Sequence, residues 1–186
     1  MNSGAEATTK SKSVMATLLE SQARLAASME NSSESESTTA TTGGIPTGWV
    51  MIKGRGNLCM KSHYNGRGNY IKQGRCDESY LVQWKLVRYG GRYKLQNRKG
   101  VEVSLYYYKK NNNAYLYGYN KNNSRTNQQW TLHPIGGGRY RIKNYYSKKC
   151  IYNPSMRSVN YIYRQYSCSS ATSQQFSIIP IKTHPL

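Results

Sequence analysis

The sequence predicts an all-β domain assembled from three copies of one unit of about 46 residues, behind a tail of different chemistry. Three observations carry that expectation. An aromatic residue recurs in Gln83-Trp84-Lys85-Leu86, in Asn127-Gln128-Gln129-Trp130-Thr131-Leu132 and in Gln174-Gln175-Phe176-Ser177-Ile178. The three rings stand at 84, 130 and 176, so both intervals are 46 residues, and the single Phe of the chain takes the third place. Next, Gly91-Arg92-Tyr93-Lys94-Leu95-Gln96-Asn97 returns as Gly138-Arg139-Tyr140-Arg141-Ile142-Lys143-Asn144. Finally, charge divides the chain. Residues 1–44 hold three basic residues against five acidic. Residues 45–186 hold the other 24 basic residues and only Asp77, Glu78 and Glu102 as acids, a net of +21 in a chain of +19 overall.

The elements follow in order. In the tail, Val14, Leu18, Leu25 and Met29 fall roughly on one helical face, which predicts a short amphipathic helix over about 13–30. Residues 31–44, NSSESESTTATTGG, have nothing to bury and read as a flexible linker. With little net attraction to anionic lipid, the tail reads as a solubilising segment. The domain is expected over 45–186. Its first unit offers β-type runs at Trp49–Ile52, Leu58–Met60 and Tyr70–Lys72. The second offers Val101–Leu105 and Tyr115–Tyr117, and the third Cys150–Tyr152 and Tyr161–Tyr163. Each anchor ring is followed two residues later by Leu86, Leu132 or Ile178, the period-2 mark of a strand with one buried face. Gly, Asn and Ser separate the runs as turn residues. Each unit therefore supplies about four short strands. Helical solenoids need long 3.6-period runs, which are missing, and propellers need about four or more blades. Three units of four strands close as a β-trefoil, expected over about 48–181. Trp84, Trp130 and Phe176 are then core residues, together with the motif glutamines Gln128 and Gln174.

With its repeated Gln-x-aromatic motif and its cysteine placement, the chain resembles the ricin-B-type (QxW) β-trefoil lectin family over all three repeats. Cys59 and Cys76 are 17 apart and Cys150 and Cys168 are 18 apart, with each second cysteine eight residues before its anchor ring. Four cysteines allow three connectivities, and the repeat singles out one. The resemblance, in which repeats are commonly closed by such a bridge, implies Cys59–Cys76 and Cys150–Cys168. In the second unit Asn122 takes the place eight before Trp130. The resemblance also implies one shallow sugar pocket per repeat. Each would hold an Asp two residues after the first cysteine, an aromatic platform two before the second, and an Asn just before the motif. Here the Asp place is held by Lys61, by about Leu105 and by Tyr152. The platform is Gly74 in the first repeat and Tyr166 in the third, with Tyr119 nearby in the second. The amide place is Leu81, Asn127 and Ser173. The first pocket is expected to be dead, and surviving pocket chemistry is expected in the second and third. The candidate ligand-binding residues are Asn127, Tyr119, Tyr152, Asn160 and Tyr166.

Composition excludes several functions. No run approaches the ~20 apolar residues of a membrane helix. Catalysis needs converging titratable groups, and the basic domain has three acids, two of them adjacent, with no nucleophile–base pattern. The chain is expected to be no enzyme and to take no cofactor. The cysteine intervals are too long for CxxC ligand pairs, so no metal is expected. The N-terminus shows no signal peptide, because Glu20 cuts short the run Val14–Leu19. The cysteine pairs point to an oxidising compartment, reached by unconventional export; the alternative is reduced thiols in the cytoplasm.

Two binding chemistries remain. Glycans, including sulfated or otherwise anionic ones, are the first expectation, with weakened neutral-sugar recognition where the Asp is lost. Nucleic acid is the second: Lys109 and Lys110 beside Tyr108, and Lys148 and Lys149 beside Tyr146, pair cations with rings that stack on bases or sugars. A Tyr-rich adhesive or structural role on the same scaffold is a third class. For the tyrosine clusters themselves, such as Tyr106-Tyr107-Tyr108, the plain expectation is alternate residues filling the barrel.

Overall fold

A computed structural model describes residues 44–63, 69–122 and 124–182. The tail helix expected at 13–30 and nearly all of the expected linker lie outside them. Twelve strands form in chain order: β1 Trp49–Lys53, β2 Leu58–Ser62, β3 Asn69–Arg75, β4 Trp84–Tyr89, β5 Arg92–Asn97, β6 Val101–Leu105, β7 Leu116–Asn120, β8 Trp130–Pro134, β9 Arg139–Asn144, β10 Cys150–Tyr152, β11 Arg164–Tyr166 and β12 Phe176–Pro180.

Six of them close a ring. β1 pairs with β12 and β4, β4 with β5, β5 with β8, β8 with β9, and β9 with β12, all antiparallel. The other six are the hairpins β2–β3, β6–β7 and β10–β11. They meet across the end of the barrel, where β3 pairs with β7 and single bridges join Lys72 to Ile162 and Tyr115 to Arg164. Barrel plus triangular cap is the expected β-trefoil.

The three anchor rings are what the interval of 46 encodes. Trp84, Trp130 and Phe176 each open a barrel strand and are fully buried. Around them lie Val50, Ile52, Leu95 and Ile142 from the barrel, with Met60, Val103, Leu116 and Ile151 from the cap. Burial of an indole also demands a partner for its N–H. Trp84 donates to the Met60 carbonyl at 2.7 Å and Trp130 to that of Val103 at 3.1 Å. Phe176 has no such proton, and Tyr163 packs against it instead, 6.1 Å between ring centres. The motif glutamines act as braces: Gln128 donates to the Asn120 carbonyl and Gln174 to that of Ser167. Both expected disulfides are present, Cys59–Cys76 and Cys150–Cys168, each with 5.0 Å between Cα atoms.

One strand differs from the sequence reading. The third unit's outer strand is Arg164–Tyr166, not Tyr161–Tyr163. The Tyr163 N–H donates to the Ile71 carbonyl and its own carbonyl accepts from Leu116 N–H, so the run is spent on joining the caps of the other two repeats. The tyrosine clusters do not fill the barrel either. Tyr163 is fully buried, whereas Tyr107 is 78% and Tyr161 50% exposed.

Candidate functional site

Strand register fixes which residues are equivalent. The first cysteine of a repeat faces the platform position across its hairpin: Cys59 opposite Gly74, and Cys150 opposite Tyr166. In the second repeat the same pairing joins Glu102 and Tyr119. Glu102 therefore stands where the other repeats have cysteine, and Tyr119 is the platform itself. The residue two further on, the family's Asp place, is Ser104 and not Leu105. The counterpart of the second cysteine is also one residue off. Gln128 is bonded to Asn120 and Asn122 as Gln174 is to Ser167 and Ser169, so Lys121, not Asn122, matches Cys168. The loop before the second motif carries one extra residue, which counting back from Trp130 cannot locate.

In place of a disulfide, the second repeat has an ion pair. Lys94 Nζ lies 3.1 Å from Glu102 Oε2, both side chains being 1% exposed, and it also donates to the Asn122 carbonyl. The cation ties the two ends of the hairpin as sulfur does elsewhere.

The three equivalent pockets have different fates. In the first, Lys61 lies across the platform position: a Cβ on Gly74 would come within 2.6 Å of Lys61 Cδ. The depression left there, about 180 Å³, is lined by His63, Lys72 and Leu81, and by Asn160, which comes from the third repeat. In the third, Tyr152 stands in the Asp place and packs on the platform Tyr166, ring centres 4.6 Å apart. The Tyr166 hydroxyl is bonded to Asn113 Oδ1 at 2.9 Å. Tyr152 thus lies against the ring in the platform position.

The second pocket is open, with a volume of about 430 Å³. Its walls are Tyr106, Tyr107, Tyr108, Tyr117 and Tyr119, and its floor is Asn127 with Leu105. The 3-10 turn Thr126–Gln128 buries Asn127, whose Nδ2 donates to Ser104 Oγ and to the Leu105 carbonyl, each at 2.9 Å. The carbonyl can only accept, which fixes the amide orientation. Asn127 Oδ1 is then buried without a hydrogen-bond partner. The Arg125 guanidinium sits 4.8 Å over the Tyr119 ring at the pocket edge. Burial and the adjacent phenols raise the pKa of Tyr106 and Tyr117, so both hydroxyls are neutral at physiological pH. A larger depression, about 790 Å³, lies where residues 44–47 meet β4 and β5, but among the described residues that line it none has an unpartnered buried polar atom.

The basic candidates gather elsewhere. Lys148 Nζ lies 4.0 Å from the Tyr145 ring centre, with the Arg92 guanidinium 3.8 Å from the same ring. Lys110 lies 4.5 Å from Tyr146, which packs edge-on against Tyr108. Lys109 turns to the pocket side, over Tyr106, and Lys149 is bonded to Ser167 Oγ. Ser104, Arg125, Lys94 and Glu102 went unnoticed in the sequence as site residues. The signal for Glu102 was present: an acid between Val101 and Val103 in a strand all of whose residues are buried.

Residues 126–184 match the family described as ricin-type beta-trefoil lectin domain-like, from the second motif to the end of the third repeat. The resemblance read from the motifs stands, on a β-trefoil fold. No curated protein sequence matches the chain. Among solved structures, the designed threefold-symmetric protein ThreeFoil is 22% identical with a TM-score of 0.67, covering 72% of this chain and 99% of its own. The exo-beta-1,3-galactanase from Clostridium thermocellum is 23% identical with a TM-score of 0.65, over 74% of this chain and 31% of that enzyme. The Rhizoctonia solani agglutinin is 14% identical with a TM-score of 0.62, over 73% and 96% of the two chains. At these identities the likeness establishes the fold. Among the described residues no helix is long and apolar enough to cross a membrane.

Proposed function

We propose that this protein is a non-enzymatic carbohydrate-binding β-trefoil that takes its ligand in the second-repeat pocket, with a bias toward anionic glycans. One observation carries the reading. Of three equivalent positions, only the second combines an open aromatic cleft with a buried, unpartnered acceptor, Asn127 Oδ1. Ring C–H faces pack on tyrosine, and a sugar hydroxyl or amide N–H satisfies the amide oxygen. The anionic bias rests on what replaces the carboxylate. Ser104 is neutral, and the charged group at the rim is Arg125. The domain's excess of basic residues adds a long-range attraction for polyanions. The two disulfides favour an extracellular site of action.

The test is a glycan array with neutral and sulfated glycans, followed by titration calorimetry. Sulfated or uronic-acid glycans are expected to bind, and galactose to bind weakly. Arg125→Ala is expected to weaken the anionic ligands about tenfold or more while sparing neutral ones. Ser104→Asp, which places a carboxylate beside Asn127, is expected to raise galactose affinity at least about tenfold. Tight galactose binding by the parent protein, or no response to Arg125→Ala, would sink the anionic reading.

A second reading, nucleic-acid or general polyanion binding, is favoured by the strip of paired cations and rings at Arg92, Tyr145, Lys148, Tyr146 and Lys110. It predicts that Lys110→Ala and Lys148→Ala each weaken DNA, RNA and sulfated glycan alike, lowering the slope of log affinity against log salt by about one per lysine. Shift assays across a salt series measure it. Selective loss for one ligand class would count against this reading.

A further inference from the structure

We infer that the tyrosines flanking the open pocket form a second sugar-ring station, so that the ligand is an oligosaccharide, its terminal sugar against Asn127 and the next against Tyr107. The inference rests on the second-repeat pocket being a glycan site, and it assigns the length of glycan that site takes.

Three observations converge. The first is strain. Tyr107 and Tyr108 have φ of +43° and +55°, two consecutive left-handed residues that carry a Cβ. Such a conformation costs energy and persists where the surroundings enforce it, commonly at binding sites. Here the turn is tied at both ends: Tyr106 N–H donates to the Tyr115 carbonyl at 3.2 Å, and Lys109 N–H to the Tyr106 carbonyl at 3.0 Å. The second is exposure. The turn holds the Tyr107 ring out, 78% exposed, while its edge meets Tyr106 at 4.3 Å between centres. The position contributes little to the core, so packing does not explain the strain.

The third is continuity. From Tyr106 the rings run on to Tyr117 at 4.9 Å, then Tyr70 at 4.7 Å, then Tyr115 at 5.2 Å. Tyr70 belongs to β3 of the first repeat, directly opposite Tyr117 of β7. A row of half-buried rings in contact therefore leads from the pocket across a repeat boundary. Each of its rings bears a hydroxyl. A lipid tail or an apolar peptide face would leave those hydroxyls unpaired. A chain of sugars, apolar on its ring faces and polar on its edges, satisfies both.

The experiment titrates a sulfated monosaccharide, glucosamine 6-sulfate, and a heparin-derived disaccharide into the full-length protein, in salt of about 0.3 M to screen charges that make no contact. The disaccharide is expected to bind about fivefold or more tighter, a gain of the size one ring contact supplies. Tyr107→Gly is expected to remove most of the disaccharide's advantage over the monosaccharide. Because glycine accepts the left-handed region freely, the same variant is expected to melt at the parent's temperature or above it. Tyr107→Trp, which keeps a ring, retains the length dependence. A length preference untouched by Tyr107→Gly overturns this inference alone. So does a large fall in melting temperature, which would make Tyr107 a packing residue. Failure of both sugars to bind overturns the anionic-glycan reading and this inference with it.

Discussion

Replacing Glu102 with alanine is expected to destabilise the domain by about 3–5 kcal/mol, one of the two largest effects open to a single substitution here. Lys94 would lose its counter-ion at a site 1% exposed, leaving the Asn122 carbonyl and the more distant Tyr89 ring as its partners among the described residues. The penalty is that of an uncompensated buried charge, not the net worth of the pair. Removing both charges together, as Lys94→Met with Glu102→Leu, is therefore expected to be neutral or to stabilise by about 1–4 kcal/mol. Denaturant melts of the parent, the single and the double variants decide it. The single variant should also melt roughly 10 °C lower. A loss under about 1 kcal/mol would mean that water reaches the ammonium and that the pair does not take over the task of the missing disulfide.

Trp130→Ala is expected to cost about 3–5 kcal/mol, because it empties a fully buried site and leaves the Val103 carbonyl without the indole proton. Trp130→Phe separates the two contributions. The third repeat already carries Phe176 in the equivalent place, so a phenyl ring fits the architecture, and the cost is expected to fall to about 1–3 kcal/mol for the lost hydrogen bond and volume. A loss below about 1 kcal/mol for Trp130→Ala, read from urea or guanidinium melts, would contradict a core role for this ring.

The barrel was legible because its constraint repeats. Three rings must meet at one depth, so Trp84, Trp130 and Phe176 recur at a fixed interval, and the cysteine pairs inherit the same frame. The site was harder to see. Counting put the Asp place at about Leu105, whereas strand pairing puts it at Ser104, because the second repeat has 26 residues from that place to its anchor ring against 23 and 24 in the others, which misleads counting and leaves the hairpin register alone. The turn at Tyr106–Tyr108 looked like strand: tyrosine is a strand former, and no glycine marks the left-handed pair. Tyr161–Tyr163 has the composition of a strand as well, but its hydrogen bonds go to other repeats, and pairing between repeats leaves no local pattern. Glu102 was readable in principle, since an acid enclosed by valines in a buried strand must have a partner. Lys94 could be recognised as that partner only once β5 lay beside β6.

Lys61 across Gly74 and Tyr152 on Tyr166 also set the valency of the molecule. A trefoil with three open pockets can hold three glycans at once and so draw separate chains, or separate cells, together. That gathering multiplies weak affinities by raising the effective concentration of each further contact. On the proposed reading, with side chains of its own lying across two of its three equivalent positions, a molecule of this protein has one handle of that kind. A molecule with one handle would coat, tether or deliver, and agglutination would require that copies associate or that the basic strip take a second anionic chain.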